Sequence, residues 1–176
     1  MPQERLKSRS PILFFLAIIL AFKSYSQQFD QLENSVYIYN FIKYTSWPEK
    51  KHEIRIGIIG NTPLETELRN LLAKKTNSAV SYELRKIAIS DARNVDVIVV
   101  ARTSSQQVKE LVRITMGSPI LIITEKENMG PSGACISFFI DEDNNFKTGY
   151  QLSIRNCTAR KLLVNEQLRE NAVLMR

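Results

Sequence analysis

Histidine is almost missing from this chain: His52 is the only one among 176 residues. A Ser-His-Asp triad needs a histidine base and a multi-histidine metal site needs several, so neither fits within one copy. His52 itself lies in the charged run Glu49-Lys50-Lys51-His52-Glu53 and reads as a solvated loop residue. Glycine is sparse too, at six. Gly57-Ile58-Ile59-Gly60-Asn61 falls between a strand and a helix, where a dinucleotide loop would lie. It lacks the G-x-G-x-x-G spacing, and no acidic residue ends the next strand, so its glycines read as turn residues. Ser104, Ser105, Ser118 and Ser132 lack a G-x-S-x-G context and suit capping or turn roles. Asp141, Asp143 and Asn145 are spaced like the opening of a calcium loop. Phe146 stands where that loop needs Gly and Leu152 where it needs a bidentate Glu, which leaves a solvated hairpin turn. No catalytic set, metal or cofactor is expected.

Long apolar runs are also lacking, with one exception. Pro11 to Phe22 are about twelve mostly apolar residues behind Arg5, Lys7 and Arg9, and Ser24-Tyr25-Ser26 ends the stretch with small side chains at the −3 and −1 positions. A bilayer core needs about twenty residues. Residues 1–26 therefore read as a cleavable signal peptide, and the chain as periplasmic. Residues 27–176 suit one domain with a core of its own. Without Arg5, Lys7, Arg9, Lys23 and Glu4 the balance of basic to acidic residues is 20 to 17. No basic run is interleaved with aromatics, so nucleic acid is not an expected partner. Arg155, Arg160 and Lys161 read as a solvated helix face.

Only two cysteines occur, Cys135 and Cys157. An oxidising compartment permits a disulfide between them if their Cα atoms come close enough; otherwise they are two small buried hydrophobes. Cys157, flanked by Arg155 and Arg160, is a candidate redox-sensitive thiol.

What is present is hydrophobic patterning. Gln31 to Ser46 has helical spacing and is closed by Pro48, which disfavours helical geometry at Trp47. Residues 54–59 form an apolar strand. Thr62-Pro63 with Glu65 predicts a capped helix carrying Leu64, Leu68, Leu71 and Leu72, ending near Lys74-Lys75. Strands follow at Val80–Leu84, Val95–Ala101 and Ile120–Thr124, with a helix from Ser104-Ser105 to about Met116. This β-α-β-β-α-β rhythm predicts an α/β fold: a single compact domain with an open mixed, largely parallel sheet flanked by helices, Rossmann-like. Ala134–Ile140 and Lys147–Ile154 read as a hairpin, and Cys157 to Ala172 as a helix broken near Val164.

Tyr37, Tyr39, Phe41, Tyr44 and Trp47 crowd the first helix, and they fall on more than one of its faces. A Tyr/Trp patch left outside the core is a typical protein-contact surface. The segment Tyr39 to Pro48, YNFIKYTSWP, followed by the Gly-ended strand at 54–60, resembles the start of the YfiR-like family of bacterial periplasmic regulators, typically "YNFAKYTEWP" and then "I.IGV.G". The likeness covers essentially all of 27–176. VDVIVVA, ILIITE, GACISF and YQLS stand where the family has "C.ILFIS", "LTV.D", "GG.I.F" and "FEIN". Val95 replaces a common family cysteine, and Asn165 and Glu166 replace a serine pair.

The resemblance implies an exported α/β domain that binds an inner-membrane signalling protein and restrains it. A diguanylate cyclase, with cyclic-di-GMP output, is the family's usual target, and a sensor kinase would serve equally. The contact residues expected are Tyr37, Tyr44 and Trp47, with Lys43 at the rim, and a homodimer is possible. The alternative is a small-ligand binding protein using a cleft at the carboxyl ends of the strands near Gly60, Arg102 and Glu125.

Overall fold

A computed structural model describes residues 31–77, 79–102, 104–144 and 146–175. The signal-peptide reading of 1–26 and the role of Asn145 lie outside the described residues.

The described part of the first helix, α1, covers 31–43. It is followed by β1 (Thr45–Ser46), β2 (Glu53–Ile59), α2 (Leu64–Lys75), β3 (Ser81–Lys86), a 3-10 turn at Ile89–Asn94, β4 (Val97–Val100), α3 (Ser105–Ile114) and β5 (Leu121–Thr124). A short 3-10 turn at Gly130–Ser132 then leads to β6 (Ile136–Asp141), β7 (Lys147–Leu152), α4 (Ile154–Ala159), β8 (Leu163–Val164), α5 (Glu166–Glu170) and β9 (Val173–Leu174). The main sheet runs β3-β2-β4-β5-β6-β7-β9. It is parallel from β3 through β6, with an antiparallel β6–β7 hairpin and β9 parallel to β7. The expected α/β architecture is thus present in one mixed sheet.

Both faces of the central strands are buried, which is why β4 and β5 read as unbroken apolar runs. On one face α1 and α2 lay Ile38, Phe41, Leu64 and Leu68 against Ile56, Val97, Val99 and Ile123, joined by Leu162 and Leu168 from the C-terminal segment. On the other, Val108 and Leu111 of α3 cover Ile98, Val100 and Ile122. Each such side chain removed from water contributes roughly 1.5–3 kcal/mol. Ser104 caps α3 by accepting from the Gln107 N–H, and the Gln107 side chain returns to the Ser104 N–H, a closed capping box. The box expected at α2 does not form. Thr62 accepts from the Leu64 N–H at 3.2 Å, while Glu65 turns outward to Arg69 and Lys86.

Two expected helices are shorter than their patterns. α1 stops at residue 43, because Thr45 and Ser46 pair antiparallel with Val164 and Leu163 in a separate two-stranded ribbon. The C-terminal helix becomes α4 and α5 with β8 between them, and β9 adds an edge to the main sheet. In both places hydrogen bonds to a distant segment outweigh weak local helix propensity.

Candidate functional site

The ribbon of β1 and β8 holds three of the four expected contact residues at the C-terminal end of α1. The Tyr44 N–H closes the last helical turn on Asn40 O at 2.9 Å, and Tyr44 O accepts from the Asn165 N–H at 2.9 Å. Tyr44 and Trp47 are half-buried, each with one side packed on the core. Lys43 is exposed, with its ammonium 5.0 Å from the centre of the Tyr44 ring. Leu163, 70% exposed in β8, sits directly opposite Ser46 and extends this surface with an apolar side chain. A two-residue strand carries no periodicity, and Leu163 sits inside the apolar run Leu162-Leu163-Val164, so no local pattern marks it as the exposed member.

Tyr37 belongs to a different environment. Its ring lies 5.6 Å from Tyr150 and 6.1 Å from Phe138, and its hydroxyl donates to Thr148 O at 3.4 Å. Burial, with Glu33 nearby, raises its pKa. Tyr37 therefore pins α1 to the hairpin, a turn or more away from Tyr44 and Trp47. Among the described residues, two atoms of the ribbon segment, Thr45 Oγ1 and Trp47 Nε1, are buried without a hydrogen-bond partner.

Gly60, Arg102 and Glu125 do come together at the carboxyl ends of β2, β4 and β5. The Ala101 N–H bonds Ile59 O and the Glu125 N–H bonds Val100 O, each at 3.0 Å, so the three residues follow directly in register. Gly60 has φ +92, and a Cβ there would stand 3.0 Å from that of Ala101. The Glu125 carboxylate accepts from the Thr62 hydroxyl and the Arg102 N–H. Burial raises its pKa, and those two donors oppose the rise without cancelling it. Through Thr62, the carboxylate serves the start of α2, where an anionic ligand would otherwise bind.

Cys135 and Cys157 are both free and fully buried. Their thiols hydrogen-bond each other beside the Arg160 guanidinium, which is itself buried and donates to Thr115 Oγ1 at 3.1 Å. The bond to Cys135 and burial push the Cys157 thiol far above its usual range.

One charged centre escaped the sequence reading. Asp96 is 4% exposed at the amino ends of the strands. It binds Lys51 Nζ at 3.0 Å, Arg55 Nε at 3.2 Å and the Arg55 N–H at 2.9 Å. Burial alone would raise this carboxyl, but the Arg55 N–H and the two cations hold it below its ordinary value. Its only signal was an acid inside the apolar run VDVIVVA.

Among the described residues no cluster of three or more His, Cys, Asp or Glu side chains is arranged to hold a metal, and no helix is long and apolar enough to cross a membrane. The fold is that of a small α/β domain. The chain belongs to the family described as YfiR/HmsC-like, whose profile matches residues 33–172. Members of that family are periplasmic regulators in general, rather than enzymes.

Among solved structures, the chain is similar to a conserved domain protein from Vibrio cholerae O1 biovar El Tor strain N16961, at TM-score 0.58 and 10% identity. That match covers 83% of this chain and 60% of the other, so the present chain spans little more than half of its neighbour's length. It is also similar to the ABC domain in complex with L-Trp from Streptococcus pneumonia, at TM-score 0.49 and 12% identity, over 69% of this chain and 56% of that one. At such identities the likeness concerns the fold alone. Comparison with curated proteins returns no match.

Proposed function

We propose that this chain is an exported regulator that binds the periplasmic part of an inner-membrane signalling protein, a diguanylate cyclase or a sensor kinase, and holds it inactive. The observation that carries this reading is the surface of Lys43, Tyr44, Trp47 and Leu163, fixed on the β1–β8 ribbon. Aromatic side chains half out of the core with a cation at their rim have the composition of a protein-contact centre. Tyr37 contributes from beneath by fixing α1 on the sheet. Family membership supplies the setting, a regulator of the envelope.

A restraint works only through differential affinity. The chain must bind the inactive form of its target more tightly than the active form, by about 5.5 kcal/mol to turn a switch from one extreme to the other. A preformed ribbon favours this, because little chain entropy remains to be lost on contact.

The test is a photo-crosslinking residue at Ser46, exposed between Thr45 and Trp47, used in the living cell. Repeated capture of one inner-membrane signalling protein, lost with Tyr44→Ala plus Trp47→Ala, supports the reading. That protein's output must also rise when the chain is deleted. Absence of any such capture from a confirmed periplasmic population would overturn it and move attention to the Gly60–Arg102–Glu125 cleft.

A further inference from the structure

Arg160 does not lie on the solvated helix face that its sequence neighbourhood suggests. It is 6% exposed, and both of its side-chain hydrogen bonds end on Thr115, at 3.1 Å to Oγ1 and 3.5 Å to the carbonyl. The Thr115 hydroxyl is itself committed to Leu111 O at 2.8 Å, so it faces the guanidinium with its oxygen. Among the described residues no carboxylate pairs with Arg160, and the groups whose charge acts on it are Cys135 and Cys157. A buried cation without a counter-charge is costly. Here two thiols are the groups placed to supply one.

The backbone fixes both cysteines. The Cys135 N–H bonds Ile122 O, and its carbonyl accepts from the Ser153 N–H, each at 2.9 Å. The Cys157 N–H bonds Ser153 O at 3.1 Å, and its carbonyl accepts from the Arg160 and Leu162 N–H groups, each at 3.0 Å. Ser153 thus bridges the two residues, and their thiols meet in hydrogen-bond contact between the start of β6 and α4.

The states open to this pair differ in the charge they set beside Arg160. Two thiols, or a disulfide, are neutral and leave the guanidinium uncompensated. Two thiolates around a divalent ion are neutral as well, and zinc would ask for four ligands. Two thiolates around a monovalent ion carry one negative charge, which matches Arg160, and soft thiolates select copper(I). One thiolate beside one thiol matches it too, and is the form from which copper(I) displaces the remaining proton. We propose that Cys135 and Cys157 form a two-coordinate site for copper(I), with Arg160 as its counter-ion. Each S–H bond gives way to an S–Cu bond, the thiol protons leave to water, and no electron changes hands. The shortage of histidine does not bear on such a site, which needs two soft ligands and nothing else. Leu162, tied to Cys157 O, immediately precedes β8, so a filled site also braces the ribbon. The site stands whether or not that ribbon engages a signalling protein.

The experiment is anaerobic titration of the protein, purified as the cell processes it, with copper(I) against a chromophoric copper(I) chelator. Silver(I) serves as a redox-inert stand-in. Both cysteines are fully buried and α4 is six residues long, so the ion enters by local opening and loading is followed to completion. One ion per chain should be retained, with a rise in melting temperature. Cys135→Ala with Cys157→Ala should abolish retention, and Arg160→Gln should weaken it about tenfold or more. Circular dichroism of the metal-free variants shows that each is folded. X-ray absorption of the wild-type complex, which should show two sulfur neighbours, needs no substitution at all. Copper lost to the chelator as readily as from the doubly substituted chain overturns the proposal. So does an ion ligated by nitrogen or oxygen, or an Arg160→Gln chain that binds as tightly as the wild type. Recovery of the two cysteines already bonded to each other, under thiol-blocking conditions, overturns it as well.

Discussion

Asp96 and Glu125 lie at opposite ends of the parallel strands, and the fold tunes them in opposite directions. For Asp96, Lys51, Arg55 and a backbone N–H outweigh burial and depress the folded pKa. Its contribution to stability is therefore present above the unfolded value of about 3.9 and is lost as pH falls through the lower folded value. Asp96→Ala should cost about 2 kcal/mol at neutral pH, less than a wholly buried pair because both cations are partly exposed. Urea melts at pH 7 and pH 3 would check this, with the gap shrinking at the acid end. Glu125 behaves conversely: burial raises its folded pKa, so the folded state holds its proton more tightly than the unfolded one. Stability from this group is greatest below the unfolded pKa of about 4.3 and falls as pH rises through the folded one. Glu125→Gln retains an acceptor for Thr62 and removes the buried charge. It should melt somewhat higher than the wild type at pH 7, with the advantage vanishing near pH 4.

At the scale of elements, the open edge of the sheet at β3 is guarded by a neighbouring helix. Odd-numbered residues of β3 face inward, as the Ser81 N–H bond to His52 O shows, so Leu84 presents its carbonyl outward. Arg69 of α2 donates to that carbonyl at 3.0 Å and is held by Glu65 at 3.1 Å. An edge carbonyl covered in this way offers no template for strand pairing. Arg69→Ala should lose about 1 kcal/mol in denaturant melts and self-associate at high concentration, read by light scattering. Elements of this length were legible in the sequence. The leucines of α2, the apolar runs of β4 and β5, and the Asp/Asn-rich turn between β6 and β7 each announced themselves through period or turn chemistry. β1, β8 and β9 did not, because two residues carry no period and their hydrogen-bond partners lie far away in the chain. The same holds for the site. Tyr44 and Trp47 stood out by type, but Leu163 joins them only through a pairing that no local pattern encodes, and Asp96 is explained by cations from another strand and its preceding loop.

For the molecule as a whole, the last fifteen or so residues are structural, not a tail. Leu162 and Leu168 are buried in the face shared with α1, the Tyr150 hydroxyl donates to Leu168 O at 2.9 Å, and the Met175 N–H bonds Leu152 O at 2.9 Å. Ending the chain at Arg160 removes two core leucines, each worth about 2–5 kcal/mol. That loss rivals the whole stability of a domain this size, about 5–15 kcal/mol. The shortened protein should give a broad, non-cooperative thermal transition and lose near-ultraviolet dichroism. The β1–β8 ribbon has a further meaning in time. It joins a segment near the start of the described chain to one near its end, so a polypeptide made or threaded from its N-terminus holds only half of that ribbon until almost everything has arrived. Helix α1 thus emerges long before the β8 strand that ties down its C-terminal end. Until then Thr45 and Ser46 lack their strand partners, and the surface proposed here for protein contact is incomplete.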